Sequence, residues 1–130
     1  NLVDKDECYR WALYRRPTIE NWSSKRVTIL GDAAHATLPY LAQGAAMAVE
    51  DGAILSRALK QNRDIADALQ LYQRNRTDRT ARVVNTSDAN RKRFHLDSVE
   101  QIRESFTNRD EGADRNGWLY SYNPLTVELK

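Results

Sequence analysis

The stretch RVTILGDAAHATLPYLAQGAAMAVEDG, Arg26 to Gly52, decides the fold because its periodicity changes within a few residues. Val27 to Leu30 form an apolar, partly β-branched run cut off by Gly31, the pattern of a short buried strand such as parallel sheets contain. From Gln43 to Leu59 the apolar positions Ala46, Val49, Ala53 and Ile54 or Leu55 recur at three- and four-residue steps, which predicts a helix. Gly44 and Gly52 weaken that helix in isolation. Between the two elements, Gly31 permits close backbone approach to a ligand, and the Asp32 carboxylate can accept hydrogen bonds from a ribose hydroxyl pair. A simple cap of the following turn is the competing role for Asp32. After the Pro39 kink, Gly44, Ala45 and Ala46 open the helix with amides that lack intrahelical partners and side chains small enough to admit a flat ring. A tight contact with another helix would use the same small residues.

Upstream, Tyr9 to Arg16 alternate Tyr9, Trp11 and Leu13 with Arg10, Ala12 and Tyr14, which predicts a strand ended by Pro17. The following loop offers Ile19 and Trp22 as anchors on the core. Downstream, the polar break at 60–64 precedes a second helix with Ile65, Leu69, Tyr72, Val83 and Phe94 near one seam. Arg76 and Arg79 stand at the centre of that seam, where apolar residues belong. Residues 96–106 predict an amphipathic helix through Val99, Ile102 and Phe106, residues 108–117 a surface loop, and the aromatic stretch from Trp118 a segment docked on the body.

The chain has 130 residues, of which 41% are hydrophobic and 29% charged, ordinary values for one folded domain. A net charge of +2 selects no partner by bulk electrostatics. Cys8 is the single cysteine, so neither an internal disulfide nor a cysteine metal cluster can form. No run approaches the roughly 18 apolar residues of a membrane span, and the polar start has no signal-peptide core. Both point to the cytoplasm. The chain begins at Asn1 and its single methionine is Met47, so it is expected to be part of a longer protein.

The segment from Gly31 to Gly52 resembles the second flavin-binding motif of the FAD-dependent aromatic hydroxylases, the flavoprotein monooxygenases that include salicylate hydroxylase and its 6-hydroxynicotinate and p-hydroxybenzoate relatives. The order of parts is the same: strand, Gly-Asp, Ala-Ala-His, a proline, a glycine five residues later, and an alanine-rich helix with an acid pair. The approach from Trp11 to Leu30 and the later stretches Leu71–Val83 and Trp118–Pro124 are similar to the same family. The resemblance implies an α/β fold, the C-terminal part of an FAD-binding Rossmann-like (p-hydroxybenzoate hydroxylase-like) fold with one or two strands followed by long helices. Its segments would be an approach strand and loop at 1–26, the FAD motif at 27–59 and a helical region at 60–130.

Carried over by position, Asp32 would bind the ribitol or ribose of FAD, and the amides of Gly31 to Ala33 would approach the pyrophosphate. Gly44, Ala45 and Ala46 would hold the pyrimidine edge of the flavin, and Pro39 would border the ring where the aromatic substrate reacts. The implied reaction is hydroxylation through a flavin hydroperoxide, with NADH or NADPH as reductant. The family's other signature, GxGxxG after a strand, has no counterpart among the glycines at 31, 44, 52, 112 and 117. Catalysis is therefore expected to require the N-terminal half of the enzyme, and exposed core at that junction would favour homo-oligomers. In this chain Arg15 precedes Arg16-Pro17 where relatives often carry an acid, which removes the basis for a salt bridge there.

The remaining titratable residues suggest less. His35 reads as part of the turn rather than as a base, and His95 as a surface residue. Glu50 and Asp51 are adjacent and so face different directions on a helix. From Arg74 to Arg93 seven basic residues face two acids, Asp78 and Asp88, a local excess of +5. That helix could make the chain a noncatalytic binding module for an anionic partner such as nucleic acid. Against this, Asp78 lies one turn before Arg82 and can pair with it, and no aromatic residues interleave the basic run.

Overall fold

The computed structural model describes residues 9, 11–107 and 116–130. A two-residue antiparallel pair, β1 (Ser23–Ser24) with β2 (Val27–Thr28), precedes the short helix α1 (Asp32–His35) and a 3-10 turn at Pro39–Leu41. The long helices α2 (Gly44–Gln61) and α3 (Ile65–Phe94) follow, then α4 (Val99–Thr107) and α5 (Gly117–Tyr120). The fold is thus mostly helical with a small sheet.

Two strand expectations are corrected. Val27–Leu30 is not a parallel strand: only Val27 and Thr28 pair, in antiparallel register with Ser24 and Ser23, and Val27 is 68% exposed. Lys25 turns the hairpin with a φ of 53°, and Ser23 Oγ lies 2.8 Å from Thr28 Oγ1. Ile29 alone of the run packs on the core beside Trp22. Residues 11–16 likewise form no strand, and Trp11 is 82% exposed with Tyr9, Leu13 and Tyr14 also exposed. The alternation is that of a half-buried strand, but a strand needs a neighbour for its backbone polar groups. Among the described residues the Arg16 amide meets the Ala36 carbonyl at 3.3 Å, but no strand pairs with this segment.

Helix α2 forms as expected, with Ile54 buried and Leu55 packed on the core as predicted, but the rest of its buried stripe lies on a different face. Its buried stripe is Met47, Asp51, Ile54 and Ala58, spaced by three and four residues, whereas Val49 is 73% exposed and Ala46 is exposed. A carboxylate occupies the centre of the stripe, so a search for apolar residues alone selects the neighbouring face. Helix α3 starts at Asp64, whose side chain accepts the Asp67 amide, and ends with Arg91, Lys92 and Arg93 in its last turn. Both features suit the helix dipole. Its buried face runs Leu69, Tyr72, Arg76, Thr80, Val83 and Ser87.

The core has two parts. Trp22, Ala34, Ile54, Ala58, Leu71 and Tyr72 form one, and Met47, Val83 and Leu119 form the other. The anchoring of Trp22 matches its expected place; its indole donates to the Ile19 carbonyl at 2.8 Å. The C-terminal segment docks on the helices as its aromatic content predicts. Arg57 donates to the Pro124 and Val127 carbonyls, both at 2.6 Å, and Asn75 exchanges bonds of 2.9 and 3.1 Å with the Lys130 backbone. Helix α4 appears where expected. The Phe106 side chain, the first eight residues, and the loop at 108–115 lie outside the described residues.

The two faces of α2 predict opposite responses. Ile54→Ala is expected to cost about 2–5 kcal/mol by leaving a cavity, and Val49→Ala less than about 0.5 kcal/mol, both read from urea unfolding midpoints. Equal losses would contradict the assignment of the buried face.

Candidate functional site

Between the β2–α1 connection and the start of α2 lies a cavity of about 620 Å³ lined by Leu30, Gly31, Asp32, Thr37, Leu38, Pro39, Ala42, Gly44, Ala45 and Ala48. It brings together five of the residues singled out from sequence: Gly31, Asp32, Pro39, Gly44 and Ala45. Ala33 and Ala46 are exposed and stand outside the lining.

The walls follow from local backbone chemistry. Gly31 has a φ of 58° and ψ of −143°, a conformation that a side chain rarely adopts. A Cβ built there would meet Ala48 Cβ at an ordinary 3.5 Å, so backbone conformation rather than crowding requires glycine. Its carbonyl accepts the amides of Ala34 and His35, both at 2.9 Å, which closes the single turn of α1. On the opposite wall the first bond of α2 runs from the Met47 amide to the Gln43 carbonyl at 2.9 Å. Gln43 provides no side-chain cap. The amides of Gly44, Ala45 and Ala46 therefore precede the helical ladder and can serve an electron-rich group. Ala42 was not singled out from sequence. It takes a left-handed conformation (φ 52°, ψ 35°) and donates its amide to the Pro39 carbonyl, and an alanine carries no sequence signal for that geometry.

Behind the cavity sits a buried charge cluster, with Asp51 at its centre. Asp51 Oδ2 accepts from the Gly31 amide at 2.9 Å and lies 2.7 Å from His35 Nε2, while Oδ1 accepts from Arg76 Nε at 2.7 Å. Asp51, His35 and Arg76 are all buried. Burial by itself would raise the Asp51 carboxyl, but bonds from His35, the Gly31 amide and Arg76 outweigh it and hold the group below its ordinary value. Burial likewise works against the Arg76 charge, and the bond to Asp51 with the charges of Asp51 and Glu50 raises it instead. Tyr72 is raised by burial and by the Asp51 charge.

Two sequence readings change here. Glu50 and Asp51 do not act apart: both reach Arg76, Glu50 Oε2 at 2.8 Å from its terminal nitrogen and Asp51 Oδ1 at 2.7 Å from Nε. Adjacent helical residues converge because one guanidinium presents several separate donors. The amide of Gly31 is given to Asp51, which leaves those of Asp32 and Ala33 for a ligand at that turn. His35 holds Asp51 from inside the fold, consistent with a role in the turn, and its Nδ1 is buried with no hydrogen-bond partner among the described residues. His95 is exposed beside Tyr40.

The basic stretch is largely satisfied internally. Arg79 holds Glu50 with bonds of 2.8 and 2.7 Å and lies over the Tyr122 ring at 3.8 Å. Arg82 lies over Trp118 at 3.9 Å. Arg91 pairs with Asp88 at 3.0 Å, and Arg15 reaches the same carboxylate at 3.5 Å. Arg15 thus has an acidic partner that its local sequence does not provide. Arg76 and Arg79 occupy apolar seam positions because α2 and the C-terminal segment supply acids, carbonyls and rings to them. Among the described residues no helix is long and apolar enough to cross a membrane, and no group of three His, Cys, Asp or Glu side chains is placed to hold a metal ion.

Residues 2–87 match the family described as FAD binding domain. The chain belongs to that family. This FAD binding domain chain is 44% identical over 128 residues to a 3-hydroxybenzoate 6-hydroxylase of Polaromonas naphthalenivorans, covering 94% of the chain and 32% of the relative. It is 44% identical over 86 residues to a 6-hydroxynicotinate 3-monooxygenase of Bordetella bronchiseptica, covering 65% of the chain and 22% of the relative. Among solved structures, Klebsiella pneumoniae HpxO complexed with FAD and uric acid matches with a TM-score of 0.64 and 33% identity, over 70% of this chain and 23% of that one. The chain therefore spans about a third or less of the length of these relatives, and its fold is a portion of the FAD-binding monooxygenase fold.

The Asp51 cluster predicts a defined acid response. Because its folded pKa lies below the unfolded one, its stabilisation is complete above the unfolded aspartate value of about 3.9 and is lost as pH falls through the folded value. In the whole protein the urea midpoint is expected to decline below about pH 4, and Asp51→Asn to remove part of that slope. An unaltered slope in the variant would assign the acid response to other groups.

Proposed function

We propose that this chain is the C-terminal, FAD-contacting part of a flavoprotein monooxygenase that hydroxylates a small aromatic substrate in the cytoplasm. The N-terminal half of the same enzyme would complete the site, and NADH or NADPH would be the reductant. The observation that carries this reading is the cavity between the Gly31–Asp32 turn and the uncapped start of α2, found in a chain of the FAD binding domain family. Relatives named as aromatic hydroxylases and a structural neighbour complexed with FAD support it.

The donor set fits FAD. An exposed carboxylate at Asp32 can accept from sugar hydroxyls, the amides of Asp32 and Ala33 can approach the pyrophosphate, and the amides of Gly44 to Ala46 can meet the pyrimidine edge. Those amides, backed by the α2 dipole, would favour negative charge on the reduced ring. Pro39 would form a rigid rim on the substrate side, and the small side chains of Gly44, Ala45 and Ala48 leave room for a flat group. FAD, when bound, supplies hydride acceptance and oxygen activation, chemistry that no side chain here provides. Exposed Tyr9, Trp11, Leu13 and Tyr14 offer apolar area to the rest of the enzyme or to a second copy.

In the whole protein, Asp32→Ala is expected to weaken FAD binding about tenfold, the loss of a charge-assisted hydrogen bond, seen as flavin lost on gel filtration. Full flavin retention would contradict the role of Asp32. The 130-residue chain alone is expected to show no substrate-stimulated, NADH-dependent oxygen uptake, and measurable uptake would refute the need for an N-terminal half.

A further inference from the structure

Asp51 is absent from the cavity lining yet bonded to it. It lies seven residues beyond Gly44, two turns into α2, and its carboxylate takes the amide of Gly31 across the gap at 2.9 Å. Gly31 belongs to one wall of the cavity, and Gly44, Ala45 and Ala48 to the other. The two walls come close behind the cavity, where a Cβ on Gly31 would be 3.5 Å from that of Ala48. The Gly31–Asp51 bond is therefore a tether between them.

We propose that Asp51 is a positioning residue for the cofactor: by tethering Gly31 to α2 it sets the spacing between the Gly31–Asp32 turn and the helix amides that would hold FAD. The inference rests on the FAD reading above and adds a residue that touches neither cofactor nor substrate. The carboxylate cannot rotate away, because both oxygens are engaged. His35 Nε2 shares Oδ2 with the Gly31 amide, and Arg76 Nε holds Oδ1. Arg76 is itself held by Glu50 at 2.8 Å and donates to the Met47 carbonyl at 3.3 Å, so the tether is braced against α2 and α3 together.

The same geometry shows why an amide cannot replace the acid. Asparagine at 51 presents one acceptor oxygen and one NH2 group. With the oxygen toward Gly31 and His35, the NH2 opposes the Arg76 donor. With the oxygen toward Arg76, the NH2 opposes the Gly31 amide. One side of the cluster must open in either orientation, and the gap between the cavity walls changes with it.

The test uses the whole protein, stripped of flavin and titrated with FAD, followed by measurement of the flavin midpoint potential. Asp51→Asn is expected to raise the FAD Kd about tenfold or more, the scale on which misplaced binding groups act, and to make the potential more negative as the helix amides lose their alignment. Ile54→Ala, buried on the same helix face but remote in kind from the tether, serves as the stability control. It should lower the unfolding temperature while leaving Kd and potential within about twofold and a few millivolts of wild type. Equal behaviour of the two variants would overturn the proposal, since Asp51 would then support stability alone. Should Asp51→Asn fail to fold, Asp51→Glu keeps the charge but lengthens the tether to Gly31 by one methylene; a several-fold weaker FAD affinity supports the tether, and an unchanged one overturns it. Wild-type protein that takes up no FAD would instead overturn the FAD reading, and the tether with it.

Discussion

The carboxylate of Asp51 lies wholly out of solvent, and the arrangement of the surrounding elements depends on the three donors that keep it ionised there. Those donors come from the β2–α1 turn, from α1 and from α3, while the acid comes from α2. An isolated buried carboxylate would cost several kcal/mol, so the four segments must meet in one geometry for the charge to be tolerated. Breaking such a group by removal of one partner typically costs about 3–5 kcal/mol. Hydrophobic contacts among Trp22, Ile54, Leu71 and Tyr72 supply much of the cohesion, but they are non-directional. The ion cluster specifies which turn of α2 faces which turn of α3.

A second tier of interactions extends from that centre to the end of the chain. Glu50 is shared between Arg76 and Arg79, and Arg79 donates to the Trp118 and Leu119 carbonyls at 3.2 and 3.1 Å. The Arg79 guanidinium also stacks on Tyr122. Arg79 thus binds the C-terminal segment with its charge already matched by Glu50, while Arg82 adds a cation–π contact with Trp118. Further along, Arg57 and Asn75 take backbone groups of the last seven residues. Fourteen residues without long regular structure are held by side chains from two helices.

These constraints converge on the cavity. Its walls are backbone and small side chains, and such surfaces have few means of holding their own spacing. Gly31 contributes a backbone conformation open only to glycine, Ala42 a left-handed φ that is costly for an alanine, and α2 an end without a side-chain cap. Features of this kind persist where surrounding structure over-determines them. Here the over-determination comes from behind, through Asp51, His35 and Arg76, together with the Ser87 hydroxyl, which donates to the Leu38 carbonyl at 2.6 Å. An amide-rich wall braced from behind in this way is preorganised for an electron-rich group.

Much of the candidate site was legible along the chain, because its parts are local. The Gly-Asp turn, Pro39 and the small residues opening α2 lie within sixteen residues of one another, and backbone rules alone place them near one edge. Both long helices were legible from their spacing, as was the docking role of Trp22. The strand at Tyr9–Arg16 was misread because alternation reports a face to be buried and not the partner that buries it. The face of α2 was misread because its central buried residue is an acid. By itself, the sequence determined the long helices and half of the cavity walls, since propensity, glycine freedom and helix-end chemistry act over a few residues. Only the tertiary structure decided that Arg76 and Arg79 are interior residues, that Glu50 and Asp51 act on one guanidinium, and that Gly31 is tied to α2. Each of those depends on a charge from one segment meeting a counter-charge or a backbone donor from another some twenty to thirty residues away, and the cost of burying a charge alone leaves no trace in local pattern.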